Sequence, residues 1–344
     1  MNYIKILDWN NISEKYNRST ILLGNGASIA VNNCFNYQSL LNIAKQKFKQ
    51  KSVEKLFKHF ETDDFELILR LVWQGKEIID IVKNHDCIHY RTLTWAYEDI
   101  RNGLIESVRE VHPNYSSIGI NQLEKISNFL RNFNTVISLN YDLIVYWASL
   151  NEKDKKDSPY SFKDCFIHKE FKDDWTDLRK PYKAKQHCTL IFYPHGNLIL
   201  HKDIKSSEFK LSSYEDSHLL ETILNAWKKG NISPLFVSEG TAKQKIKSIR
   251  DSYYLSVVYR EVLTEKKESL VVYGWGFGEQ DMHILKQMKN CGIKNIAVSV
   301  YNGDMEYCFN VRRLIKRELE NPSEREDSIN VEFFHSNSEG CWIY

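Results

Sequence analysis

The chain has 344 residues, 42% of them hydrophobic and 13% aromatic, enough to bury the core of one large or two ordinary domains. Its 47 basic residues nearly balance 45 acidic ones, leaving +2, so the charge gives no reason to expect nucleic acid or an anionic membrane as a partner. The start MNYIKILDWN lacks a leader pattern, no apolar run reaches spanning length, and none of the seven cysteines stands in a C-x-x-C pair; the expectation is a cytoplasmic protein with reduced thiols and no zinc ribbon.

Residues 1–18 read as a polar lead-in that covers a sheet edge before the first strand. That strand lies in TILLGNGAS, residues 20–28, where apolar Ile21, Leu22 and Leu23 run into a Gly24-Asn25-Gly26 turn and Ala27 and Ser28 open a helix. Glycines there let the backbone approach a diphosphate, and the free N–H groups of a helix start favour its charge. A plain strand-to-helix turn reads the same residues equally well. The third glycine of the dinucleotide fingerprint falls at Ile29, and no acidic residue stands near 44–48 to hold a ribose.

From about Tyr37 to Leu130 the pattern is helical, broken at His112-Pro113-Asn114. Asp63 with Glu66 suggests a capping box, followed by apolar residues from Phe65 to Val82 at helical spacing. So long a helical stretch between strands predicts an inserted subdomain or lid on an α/β core. The next strand, residues 135–139, ends in Asn140-Tyr141-Asp142. Reactive groups belong at such carboxyl ends, although an Asn/Asp turn capping the next helix is the simpler reading.

After an irregular stretch at 162–185, residues 189–193 give a strand ending in Pro194-His195-Gly196-Asn197. His195 there is either a proton-transferring imidazole or a surface turn residue. Residues 234–237 form a short strand before a turn at 238–241, and a helical pattern follows to about Thr264. Its basic run, 243–250, reads as a solvated helix face. Residues 269–273 precede Gly274-Trp275-Gly276-Phe277-Gly278 and Asp281, a second glycine turn in which Asp281 holds ribose hydroxyls or caps a helix. A strand at 295–300, a charged helix at 312–327 and a last strand at 329–334 complete the chain.

In order, GNGAS, SLNYD, FYPHG and VYGWGFGEQD resemble the sirtuin-like family, in particular its bacterial NAD-consuming branch associated with antiviral defence, and within it a group known only as a domain of unknown function. The resemblance implies an α/β, Rossmann-like, mostly parallel sheet with an all-helical insertion after the first strand. The NAD-binding core then comprises residues 1–36 and 131–344, and the insertion residues 37–130. Gly24, Gly26, Ala27 and Ser28 match the diphosphate loop, with Asn25 in place of a small residue, where it touches a phosphate or favours the turn. Asn140 and Asp142 match the N-x-D motif beside the nicotinamide ribose, and His195 the catalytic histidine. Gly274, Gly276, Phe277 and Asp281 match the turn cradling the adenosine half. The absent ribbon cysteines exclude acyl-lysine chemistry from what is implied.

The implied reaction breaks the nicotinamide–ribose bond of NAD, giving ADP-ribose or its cyclic form through an oxocarbenium-like transition state that needs positioning and no metal. Asn140 is expected on the ribose or attacking water, Asp142 on the carboxamide or on orienting Asn140, and His195 on deprotonating water or a ribose hydroxyl. Such an activity drains the cell, so restraint by a homo-oligomer or a gating defence partner, an ATPase for example, is expected. The readings from other classes are a non-catalytic sensor of NAD or ADP-ribose-type nucleotides and a structural subunit with a degenerate pocket.

Overall fold

The apolar runs of the sequence become strands buried on both faces of one sheet. The computed structural model describes residues 4–36, 39–83, 87–153, 155, 158–181, 185–203, 206–212, 218–230, 232–237, 240–320 and 328–344, with the Glu66 side chain left out. Its strands are β1 (Ile6–Leu7), β2 (Thr20–Leu23), β3 (Thr135–Ser138), β4 (Tyr160–Lys163), β5 (Phe166–Ile167), β6 (Glu170–Phe171), β7 (His187–Phe192), β8 (Gly196–Asp203), β9 (Glu208–Lys210), β10 (Ile232–Phe236), β11 (Ser269–Tyr273), β12 (Asn295–Val300) and β13 (Asn330–His335). Eight of them form a sheet in the order β1-β13-β12-β11-β2-β3-β7-β4, and every neighbouring pair is parallel.

Alternation along each strand feeds two cores. Ile21 and Leu23 of β2, Val136 of β3 and Val271 of β11 join one; Leu22, Ile137 and Val272 join the other. The chain winds outward from β2 through β3 to β7 on one side and from β11 through β12 to β13 on the other, so the order reverses between β2 and β11.

Between β2 and β3 the described residues hold α1 (Asn25–Val31), α2 (Leu40–Lys45), α3 (Lys51–His59), α4 (Phe65–Lys83), α5 (Ile88–Val111), α6 (Ile120–Leu130) and short 3-10 turns, with no strand. Leu40, Phe57, Ile68, Leu104 and Phe129 share the first core with Ile21 and Val136, so these helices pack directly onto the sheet. The cap of α4 is Asp64, which accepts from the Leu67 N–H at 3.2 Å, one residue later than the predicted Asp63. Later come α7 (Ile144–Lys153), α8 (Leu219–Lys229), α9 (Ala242–Arg250), α10 (Tyr253–Val257), α11 (Met282–Gln287) and α12 (Met305–Leu319). No described helix is long and apolar enough to cross a membrane.

Three differences from the predicted elements have local causes. The lead-in does not merely cover an edge: Ile6–Leu7 is the edge strand, anchored by buried Trp9 against Phe129 and Phe334. A two-residue strand is too short to show alternation. Past His195 the chain continues as β8, which pairs antiparallel with β9 and β10 in a separate three-stranded sheet. Gly196 makes that possible, with φ +76° and the space of a Cβ occupied by the Leu235 carbonyl at 2.1 Å. The 162–185 stretch contributes the edge strand β4 and the β5–β6 hairpin. The predicted helix beyond residue 320 runs into 321–327, and the predicted turn at 238–241 includes 238–239; both segments lie outside the described residues.

Within β8, His201 is fully buried between the rings of Phe209 and Trp227, and its Nε2 has no partner. Burial pulls its pKa down to about 3, against a hydrogen bond to Ile199 O that raises it. The unfolded chain therefore binds a proton from about pH 6.5 downward that the folded chain refuses, and stability falls as pH drops below 6.5, by about 1.4 kcal/mol per pH unit for each such group. His201→Leu removes the buried titrating ring and leaves Ile199 O paired with the Leu211 N–H. Urea denaturation is expected to find the variant within about 1 kcal/mol of wild type at pH 7 and about 2 kcal/mol better in relative terms at pH 5. Parallel pH slopes would contradict this.

Candidate functional site

A cleft of about 1170 Å³ lies at the carboxyl ends of β2, β3, β7 and β11, where the strand order reverses. Open α/β sheets bind ligands at that reversal. The structure brings Gly24, Asn25, Gly26, Asn140, Asp142, His195, Gly274, Gly276 and Asp281 to this one cavity. Ala27, Ser28 and Phe277 do not line it: Ala27 and Ser28 are buried beneath the turn, and the Phe277 ring stacks on Trp275 at 4.1 Å in the second core.

The two glycine turns are locked to each other. Gly24 N–H donates to Tyr273 O at 2.9 Å and Gly26 N–H to Gly274 O at 2.7 Å. A Cβ on Gly24 would sit 2.5 Å from Trp275 Cα, and one on Gly26 would sit 2.8 Å from Gly274 O. On Gly274, whose φ is +67°, it would sit 2.3 Å from Ala27 N. These glycines are thus required by backbone packing against backbone, while they also line the cleft. Gly276 differs, because a Cβ there meets nothing within 4 Å. The helix start offers less to an anion than predicted, since Gly26 and Ala27 both spend their N–H groups inside the protein. Asn25 turns its amide to Phe35 O at 3.2 Å.

The Asn140-Tyr141-Asp142 turn is tied to the same point. Asn140 Nδ2 donates to Gly24 O at 3.0 Å and Ser28 Oγ at 2.9 Å, and the Ser28 hydroxyl donates to Asp142 Oδ2. Asp142 Oδ1 accepts from the Ile144 N–H at 2.8 Å, the turn-and-cap role open from sequence. Burial raises the Asp142 pKa and the Ser28 bond opposes it. With both amide hydrogens of Asn140 spent, its carbonyl oxygen is what remains for a ligand.

His112, met in the sequence only as a helix break, supports this turn from behind. Its Nδ1 donates to Pro113 O at 2.8 Å and its Nε2 accepts from the Leu143 N–H at 3.0 Å, a neutral tautomer that burial stabilises by lowering the pKa to about 4.

His195 faces residues that sequence reasoning did not assemble. Its Nε2 lies 3.1 Å from His283 Nε2 and 4.0 Å from Asp281 Oδ1, and Lys245 Nζ lies 2.7 Å from that same oxygen. Burial, then the Lys245 charge, then His283, hold His195 well below the usual histidine range. Burial likewise takes His283 down to about 4, with Asp281 pulling the other way. Lys245 corrects the reading of 243–250 as a solvated face: with Ile249 it forms the buried side of α9, at i,i+4 spacing. The only sequence signal for His283 was its place two residues after Asp281.

These features define a doubly wound parallel α/β protein with a polar cleft at its switch point. The chain belongs to the family described as "Domain of unknown function (DUF4917)", which matches residues 21–342. No curated protein matches it. The solved structure described as "Structural Basis for the Mechanism and Regulation of Sir2 Enzymes" is similar at 11% identity, with a TM-score of 0.32, over 89% of this chain and 95% of that one. At that score the likeness bears on neither activity nor ligand.

Proposed function

We propose that the chain is an NAD-consuming hydrolase that cleaves the nicotinamide–ribose bond, acting as an antiphage effector. The observation that carries the reading is the convergence of Asn140, His195 and both glycine turns on one cleft at the switch point. Ligand clefts run to about 300–1,000 Å³, so the cavity has room for a dinucleotide. As the nicotinamide leaves neutral and positive charge grows on the ribose, the negative end of the Asn140 carbonyl stabilises it. Water adds to the anomeric carbon and gives its proton to neutral His195, completing ADP-ribose. Lys45 and Lys243 at the rim and Gly276 on the wall suit the diphosphate. The reading carries with it restraint by a homo-oligomer or a gating partner.

One observation favours a module that binds NAD or ADP-ribose without turnover: burial and Lys245 make His195 a weak base. Incubating pure protein with NAD and following free nicotinamide separates the two. Release above the spontaneous rate is expected, and NAD binding with no release, oligomer and partner included, would leave only the sensor.

A further inference from the structure

We propose that His195, His283 and Asp281 form a binding site for a zinc-class divalent ion, and that the ion occupies the nitrogen through which His195 would act as a base. The ligating atoms of the three residues lie within 4.8 Å of one another, and both histidines are buried. Tetrahedral zinc with bonds of about 2.0–2.1 Å sets its nitrogen ligands about 3.3 Å apart. The two Nε2 atoms are 3.1 Å apart.

The His283 tautomer points the same way. His283 Nδ1 faces the Gln280 carbonyl at 3.1 Å, so it carries the proton and leaves Nε2 bare. The bare His283 Nε2 lone pair then points at His195 Nε2, 3.1 Å away, where a cation bound by both nitrogens would sit. Carbonyl-anchored imidazoles are also how metal-ligating histidines are oriented. Asp281 supplies the carboxylate: its Oδ1 holds Lys245 and lies 4.0 Å from His195 Nε2. Beside that ammonium, an ion gripped strongly by imidazole is favoured over magnesium or calcium, which take oxygen ligands. His195 and Asp281 line the cleft, so the fourth position beside the three ligands opens toward it, as in zinc sites that exchange a ligand.

The site itself stands on geometry; only its effect on turnover rests on the hydrolase reading. The test strips the full chain with chelator and titrates Co²⁺ and Zn²⁺ by absorption and calorimetry. One ion per chain is expected, with cobalt bands lacking thiolate charge transfer. His283→Gln, checked for an unchanged melting curve, is expected to weaken binding by at least about tenfold. Cys34→Ser, which removes the exposed thiol, is expected to change nothing. No stoichiometric binding, or binding indifferent to His283→Gln, would overturn the site. In parallel, nicotinamide release is measured with metal-free and zinc-loaded protein, and zinc is expected to suppress it. A cobalt spectrum in protein that releases no nicotinamide supports the site and removes the hydrolase. Release without any cobalt spectrum does the reverse, and release undiminished by bound zinc would overturn the competition for His195.

Discussion

Gly274→Ala is expected to cost about 3 kcal/mol or more in stability and to abolish ligand binding with it. The new Cβ meets Ala27 N at 2.3 Å, a contact no rotamer relieves, and it must adopt φ +67°. Left-handed strain and overpacking each contribute about 1–3 kcal/mol. Gly26→Val is expected to act alike by driving a branched side chain into the Gly274 backbone, so lost binding there reports a damaged scaffold. Gly276→Ala is the control: with open space around its Cβ, it is expected to keep stability within about 1 kcal/mol and to weaken NAD binding alone. Urea denaturation and calorimetry on the three variants check this. A Gly274→Ala protein as stable as wild type would refute the interlock.

His195→Ala is expected to lower nicotinamide release by about 10² or more while NAD affinity stays within roughly tenfold, because general-base loss is felt in the transition state. Its backbone carbonyl still accepts from the Val237 N–H at 2.7 Å, so the β7–β8 turn survives the substitution. A thermal melt verifies that. Equal release from variant and wild type would remove His195 from the mechanism. If wild type releases none, the variant changes nothing, which is the sensor outcome.

Much of the sheet was legible because a parallel strand buried on both faces is a continuous apolar run, as in Ile21-Leu22-Leu23 and Leu270-Val271-Val272. The polar residues closing those runs at Gly24, Asn140, His195 and Gly274 then fell at one end of the sheet, since parallel strands put all their carboxyl ends together. Two kinds of information were out of reach. A polar residue on a helix gives no periodic sign that it turns inward, so Lys245 and His283 looked like ordinary surface positions. A glycine declares that a side chain is unwelcome without saying what stands in its place. At Gly24, Gly26 and Gly274 that is neighbouring backbone, and only the register of β2 beside β11 reveals it.

The interlocked turns also constrain when, during synthesis, the cleft can exist. Gly26 meets Gly274 across about 250 residues of intervening chain, a long-range contact whose closure costs entropy and must be formed late. A ribosome adding roughly 5–20 residues per second exposes the β2 end of the cleft tens of seconds before the β11 end exists. No nascent fragment that ends before β11 carries the floor of the cleft, so the ligand site can form only once nearly four-fifths of the chain has been made.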